Sequence, residues 1–253
     1  MIKKKPSEIL TCDGGVTIAY RRLDGKKPGV MFLGGFMSDM CGTKAINIEK
    51  YCEKAGRAFV RFDYRGHGDS SGRFADGTIG AWASDALAVL DFCTDGPQVL
   101  MGSSMGGWIM LLTALARPER VAGMIGIAAA PDFTEDLIWD RLDNSIRATL
   151  KEDGVYFSPS EYGEQPYAIT KKLIEEGRNH LLLRRPIPLH CPIRLIHGMC
   201  DESVPWMTTS RIAERILSED VHILLIKDGG HRLSRDQDLA HLRLMLGELI
   251  EDI

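Results

Sequence analysis

A short turn between an apolar strand and an apolar helix constrains the fold of this chain more than any other stretch. The run 98–101 has the pattern of a buried strand, and it leads directly into Gly-Ser-Ser-Met-Gly at 102–106. The next stretch, 105–117, is apolar at nearly every position and is followed by Pro118, as expected for a helix packed on a sheet. A Gly-x-Ser-x-Gly sequence in this setting predicts a strained turn in which only glycine fits two residues before and after the central serine. The central residue is Ser104, so the turn is predicted to present its hydroxyl as a nucleophile.

Strands and helices are predicted to alternate along most of the remaining chain. A hairpin over 8–22, with its turn at 13–15, supplies outer strands. Apolar runs predict further strands at 29–33, 57–63, 121–129, 191–196 and 221–226. Apolar or amphipathic stretches predict helices at 42–54, 78–92, 105–117, 206–217 and 236–250. This order is typical of an α/β fold with one doubly wound, mostly parallel sheet, in a single domain spanning 1–253.

The segment from 132 to about 190 interrupts this alternation. It holds two amphipathic stretches, 135–150 and 167–180, on either side of a turn-rich run at 154–166. We interpret it as a small helical cap inserted between two strands of the sheet.

Composition and charge set limits on the class of protein and its expected partners. The 253 residues include 44% hydrophobic and 26% charged residues and carry a formal charge of −4, which gives no reason to expect a nucleic-acid partner. The six cysteines form no C-x-x-C pair and are expected to be reduced. The charged start at 1–6 is not followed by an apolar signal sequence, and no apolar run is long enough to span a bilayer. These observations predict a cytoplasmic protein with no transmembrane segment; they give no information on its oligomeric state.

A serine nucleophile needs an imidazole to accept its proton. In proteins with a Gly-x-Ser-x-Gly turn between a strand and a helix of a doubly wound sheet, the chain order is serine, acid, histidine. Of the histidines after Ser104 and outside the cap, His222 falls within the last strand and His241 within a helix pattern. His197 is followed by Gly198 at the end of a strand, a position compatible with a place near the site, but it precedes every remaining loop acid. His231 follows the last strand through Asp-Gly-Gly, in a loop at the carboxyl edge of the sheet. We therefore predict His231 as the base.

Asp201 is the predicted acid because it lies in the loop after the penultimate strand. Asp132, directly after the strand that ends near residue 130, is the main alternative, since some proteins of this type carry the acid one strand earlier. Glu202 and Asp228 are weaker candidates.

Two backbone amides are predicted to bind the oxyanion formed during acyl transfer. They are those of Met105, the residue after the nucleophile, and Phe36, in the loop after the strand at 29–33. Gly34 and Gly35 would let that loop approach the serine closely, although a simple tight turn would have the same sequence.

Several longer strings resemble one family of α/β-hydrolases: the mitochondrial palmitoyl-protein thioesterases, also mycophenolic acid acyl-glucuronide esterases, and their bacterial relatives. The matching strings lie at 61–64, 102–108, 116–119, 186–188, 191–199 and 204–206. The resemblance extends from about 29 to 250 and implies the α/β-hydrolase fold, with an eight-stranded sheet. Carried over by position, it also implies Ser104 as nucleophile, Asp201 as acid and His231 as base.

The sequence therefore predicts a serine hydrolase that cleaves acyl esters or thioesters, with no metal or cofactor, on a small-molecule or acylated-protein substrate. Two alternatives use the same residues: a binding protein or receptor with negligible turnover, and an acyltransferase. A nucleophilic aspartate, as in dehalogenases and epoxide hydrolases, is disfavoured because the turn is centred on Ser104.

Apolar residues of the cap are expected to line a slot for an acyl chain beside Ser104, although cap helices also need an apolar face simply to dock. With three residues of the core loops, the predicted lining comprises Met37, Trp108, Phe133, Leu137, Ile138, Trp139, Ile146, Leu150, Tyr156, Phe157, Tyr162, Tyr167, Ile169, Leu173 and Trp206.

Overall fold

The computed structural model describes residues 7–158 and 166–253. The strands within these residues are β1 Glu8–Thr11, β2 Thr17–Leu23, β3 Lys26–Leu33, β4 Arg57–Phe62, β5 Gln98–Ser103, β6 Val121–Ile127, β7 Val155–Ser158, β8 Tyr167–Thr170, β9 Ile193–Gly198 and β10 Val221–Ile226. The α-helices are α1 Thr43–Ala55, α2 Ile79–Cys93, α3 Met105–Ala116, α4 Asn144–Asp153, α5 Lys171–Gly177, α6 Met207–Arg215 and α7 Asp236–Glu251. None of these helices has the length and apolar character needed to cross a membrane.

Eight of the described strands form one sheet in the order β1-β2-β4-β3-β5-β6-β9-β10. The pairs β1–β2 and β2–β4 are antiparallel, and every other pair is parallel. The prediction of a doubly wound, mostly parallel, eight-stranded sheet is confirmed. Strand β5, which leads into Ser104, lies in the interior of this sheet.

Helices cover both faces of the sheet, which explains why the inner strands are apolar at consecutive positions. Side chains of β3 alternate: Met31 and Leu33 face one apolar layer, whereas Val30 and Phe32 face the other. The first layer includes Trp82, Leu90, Trp108 and Leu111 of α2 and α3, and the second includes Ile48, Cys52, Leu242 and Leu246 of α1 and α7. Parallel strands buried on both faces have this continuous apolar pattern.

The residues between β6 and β9, called the cap below, contain strands as well as helices. The amphipathic stretch at 135–150, predicted as part of a helical cap, is a π-helical turn, a 3₁₀ turn and then α4. Helix α4 begins after Asp143 because that carboxylate accepts a hydrogen bond from the Ile146 amide (2.8 Å). Strands β7 and β8 pair antiparallel, and Thr170 ends β8 and caps α5. Tyr162 lies outside the described residues, as do residues 1–6.

Candidate active site

Ser104 lies in a backbone conformation that few residues other than glycine adopt, with φ 54° and ψ −120°. Two neighbouring glycines make this turn possible by close packing. A Cβ on Gly102 would lie 2.4 Å from the Gly106 carbonyl oxygen, and a Cβ on Gly106 would lie 2.2 Å from the Leu33 carbonyl oxygen. The turn therefore has the sharp, crowded geometry that the Gly-x-Ser-x-Gly pattern predicts, and it leaves Ser104 lining a cavity.

The structure brings the three candidates Ser104, His231 and Asp201 into one hydrogen-bonded line. Nε2 of His231 lies 3.0 Å from Ser104 Oγ, although the two residues are 127 positions apart in the chain. Nδ1 of the same ring lies 2.7 Å from Asp201 Oδ2. The carboxylate therefore fixes the tautomer in which Nδ1 carries a proton and Nε2 is left to accept one from the serine.

Asp201 is a fully buried carboxylate whose two oxygens are both occupied. Oδ1 accepts hydrogen bonds from the amides of Ser203 (3.0 Å) and Val204 (2.8 Å). Burial by itself would raise the pKa of Asp201, but hydrogen bonds from His197, His231 and the Val204 amide hold that pKa well below its usual range. Asp201 therefore stays ionised at any pH at which the protein is expected to work.

His197 is the part of this site that the sequence did not assign. Its ring is fully buried, and Nε2 lies 3.0 Å from Asp201 Oδ2, the same oxygen that His231 contacts. Its position at the end of a predicted strand was compatible with a place near the site, but no local pattern indicated the contact with Asp201.

The other candidates for acid and base lie in different settings. Asp132 accepts hydrogen bonds from the amides of Leu182 (2.7 Å) and Leu183 (2.9 Å), and burial raises its pKa. Asp228 pairs with Arg235, and Glu202 is exposed. His222 is exposed on β10, and His241 lies within α7.

The loop after β3 packs against the nucleophile, as the glycines at 34 and 35 suggested. A Cβ on Gly35 would lie 3.5 Å from Ser104 Cβ, and both Phe36 and Met105 line the same cavity as Ser104. Met105 is the first residue of α3, so its amide has no acceptor within the helix and lies at the positive end of the helix dipole.

A cavity of about 810 Å³ opens at Ser104 and extends under the cap. The predicted slot residues that line it are Met37, Phe133, Leu137, Ile138, Tyr156, Tyr167 and Ile169. Other predicted members have structural roles: Trp108 donates a hydrogen bond to the His180 carbonyl (3.0 Å), and Leu150 packs inside the cap. About half of the predicted lining is therefore cavity wall.

Among the residues that the structure describes, the charged side chains around the cavity are mostly cationic. Lys44, Arg141 and Arg232 line it, together with the acid Asp39. The Lys44 ammonium donates to the Arg232 carbonyl, and burial together with the Arg232 guanidinium lowers the pKa of Lys44 to about 8. Among the described residues, no group of histidine, cysteine, aspartate and glutamate side chains is placed to hold a metal ion.

Comparison with known proteins adds independent information. A family model described as serine aminopeptidase, S33 matches residues 27–152. Human palmitoyl-protein thioesterase ABHD10, mitochondrial, is 43% identical over 237 residues, which cover 93% of this chain and 77% of that protein. A monoacylglycerol lipase of Mycolicibacterium smegmatis is 24% identical, and the match covers 83% of this chain and 84% of that lipase.

Solved structures agree with this similarity. Mouse alpha/beta hydrolase domain-containing protein 10 superposes with a TM-score of 0.91 at 41% identity, covering 98% of this chain and 99% of its own. A putative hydrolase from Agrobacterium vitis S4 gives a TM-score of 0.92 at 38% identity, and the match covers 97% of this chain and 100% of that protein. The predicted α/β-hydrolase fold and the predicted resemblance are both confirmed.

The prediction of a cytoplasmic protein is wrong. The human, mouse and Pongo abelii relatives at 43% identity are all named as mitochondrial proteins, a finding that points away from the cytoplasm. The sequence argument failed because it rested on the absence of a signal sequence and of a bilayer-spanning run, and such absences do not identify a compartment.

Proposed function

Since this chain belongs to the α/β-hydrolase family of palmitoyl-protein thioesterase ABHD10, and is a carboxylic ester or thioester hydrolase, we propose that it works through an acyl-enzyme on Ser104. The observation that carries this proposal is the hydrogen-bonded line from Asp201 through His231 to Ser104. In the first step Ser104 Oγ attacks the acyl carbon while His231 Nε2 takes its proton. His231 then gives that proton to the departing oxygen or sulfur, and water attacks the acyl-enzyme in the same way.

A negative charge forms on the acyl oxygen during the attack. We assign its stabilisation to hydrogen bonds from the backbone amides of Phe36 and Met105. Two observations support this assignment: the close approach of Gly35 to Ser104, and the position of the Met105 amide at the start of α3, where it has no acceptor within the helix. Fixed backbone donors lower the barrier because they need no reorganisation when the charge appears.

The substrate is proposed to carry an acyl chain that lies under the cap. The apolar cavity wall formed by Leu137, Ile138 and Ile169 supports this proposal, as do the thioesterase and monoacylglycerol lipase names of the relatives. We further propose that the chain is one domain, 1–253, with the cap at about 132–190 inserted in it.

A mutation at Ser104 tests the central step. Ser104→Ala is expected to lose nearly all turnover of a nitrophenyl ester and to retain only the catalysis that binding and the oxyanion amides supply, roughly a thousandfold above water. A fluorophosphonate probe followed by intact mass is expected to label the wild type once and to leave Ser104→Ala unlabelled. Ser103→Ala is the matched control, because it alters the adjacent hydroxyl in β5. Activity in Ser104→Ala equal to the wild type would refute the proposal.

Product analysis in the presence of alcohols distinguishes hydrolysis from acyl transfer, which uses the same residues. Free acid as the main product supports the hydrolase, whereas acylated alcohol at low alcohol concentration favours the transferase. Probe labelling without measurable turnover of any ester would favour the receptor alternative.

A further inference from the structure

A second histidine reaches the carboxylate oxygen that His231 uses. His197 extends from the end of β9, and its Nε2 lies 3.0 Å from Asp201 Oδ2 and 3.0 Å from the Val204 carbonyl oxygen. Its Nδ1 lies 2.6 Å from Thr209 Oγ1 in α6. The ring is fully buried, so each of these contacts is made without competition from solvent.

The partners of this ring determine which nitrogen carries the proton. An ionised carboxylate and a backbone carbonyl only accept hydrogen bonds, so Nε2 of His197 must be the donor to both. The Thr209 hydroxyl can donate to Nδ1 of His197. Nδ1 is then the acceptor, and the ring carries its single proton on Nε2. Thr209, His197, Asp201, His231 and Ser104 thus form one continuous chain of hydrogen bonds.

We propose that His197 is a positioning residue: its Nε2–H holds the Asp201 carboxylate in place and withdraws part of its negative charge from His231, so that His231 becomes a competent base at lower pH. This inference rests on the proposed function, because it assigns a role only if His231 activates Ser104. It goes beyond that function by assigning a fourth side chain to the control of the base.

The direction of the effect follows from the charges. A donor on Asp201 Oδ2 reduces the negative charge that stabilises the imidazolium form of His231. When the donor is removed, the carboxylate stabilises the imidazolium more strongly, and the ascending limb of kcat/KM against pH is expected to move to higher pH. Within 7–158 and 166–253, the other charged side chains that line the cavity around His231 are Asp39, Lys44, Arg141 and Arg232, and all of them are unchanged in the variants below.

The experiment compares pH profiles of nitrophenyl ester hydrolysis for the wild type, His197→Leu and His197→Gln. His197→Leu is expected to raise the midpoint of the ascending limb by about one pH unit, the scale of one hydrogen bond to a charged group, and to lower kcat more than it changes KM. His197→Gln restores an N–H donor near Nε2 and is expected to move the limb back toward the wild type. Titration of the His231 imidazole by NMR should rank the wild type and the variants in the same order, in a measurement that does not require turnover.

Two further variants make the test specific. Thr209→Val keeps the side-chain shape but removes the donor to Nδ1, so it is expected to shift the limb upward by less than His197→Leu does. His222→Gln is the matched control, because this histidine is 70% exposed on the adjacent strand and should leave the profile unchanged.

The possible failures are distinguishable. If the limb and the His231 titration of both His197→Leu and Thr209→Val coincide with those of the wild type, the positioning role is refuted while the proposed function stands. The same conclusion follows if His197→Gln behaves as His197→Leu does. If turnover persists in Ser104→Ala, the proposed function itself fails.

Discussion

At the scale of single residues, His67 is a buried histidine that the proposed chemistry does not use. Its ring is 4% exposed and makes edge contacts with Tyr64, Phe74 and Trp82 at centroid distances of 5.1 to 5.6 Å. Nδ1 lies 3.3 Å from the Arg65 carbonyl oxygen, and within the described residues Nε2 has no hydrogen-bond partner. Burial lowers the pKa of His67 to about 4, so the folded protein keeps this ring neutral.

His67 is therefore expected to make stability depend on pH. Below the ordinary histidine pKa of 6.5, His67 binds a proton in the unfolded chain but stays neutral in the folded protein. The free energy of unfolding therefore falls as the pH drops from about 6.5 toward 4. The loss attributable to this residue is up to about 3 kcal/mol. His67→Phe is expected to reduce the difference between urea unfolding free energies at pH 7 and pH 4.5 by this amount. His222→Phe, at an exposed site, should not; equal differences in the two variants would contradict the assignment.

At the scale of elements, Asp132 joins the two ends of the cap. It follows β6 at the start of the cap, and its carboxylate binds the amides of Leu182 and Leu183 and the guanidinium of Arg184 near the cap's end. The carboxylate is fully buried, so the loss of one acceptor cannot be replaced by water.

The pair Asp132→Asn and Asp201→Asn separates structure from chemistry. Asp132→Asn is expected to lower the unfolding free energy by about 1–3 kcal/mol, with kcat of the folded protein little changed. Asp201→Asn is expected to lower kcat by roughly 10⁴-fold, because the His231 tautomer is no longer fixed. Melting temperature and kcat are measured for both. A large fall in kcat for Asp132→Asn with an unchanged melting temperature would move the acid one strand earlier.

The sequence predicted those features that depend on local sterics or on chain order. Ser104 is central in a turn whose glycines have no room for a Cβ, and Asp201 and His231 follow the last two strands of the sheet. The contact of His197 with Thr209 depends on how α6 packs on β9, which no local pattern reports. Strands β7 and β8 are four residues each, too short for a period of two to be distinguished from a helical one.

At the scale of the whole molecule, the cavity under the cap is expected to set the acyl-chain preference. The value of kcat/KM should rise from acetyl toward medium or long acyl groups, since each buried methylene contributes about 0.8 kcal/mol. Both acyl-thioesters and oxygen esters should be hydrolysed. A chain-length series of nitrophenyl esters and acyl-coenzyme A thioesters measures both, and a clear preference for acetyl would count against the slot.

Two cap variants test where that chain lies. Leu137→Trp places a larger side chain in the cavity wall and is expected to shift the optimum toward shorter acyl groups. Phe157→Trp enlarges a side chain on β7 that is 60% exposed, and it should leave the series unchanged. An unchanged optimum in Leu137→Trp would place the acyl chain elsewhere.

The closed ends of the cap have a consequence for how such a protein changes over evolutionary time. Strands β6 and β9 are paired neighbours in the sheet, and the cap is the segment between them in sequence. Asp132, at the start of the cap, accepts hydrogen bonds from backbone amides near its other end. A segment whose ends already meet can lengthen, shorten or be replaced at little cost to the sheet, because the closure entropy of a loop grows only slowly with its length. Ser104, Asp201 and His231 all lie outside that segment. Changes in the cap are therefore expected to alter what the enzyme accepts while they leave intact the three residues that we propose for the chemistry.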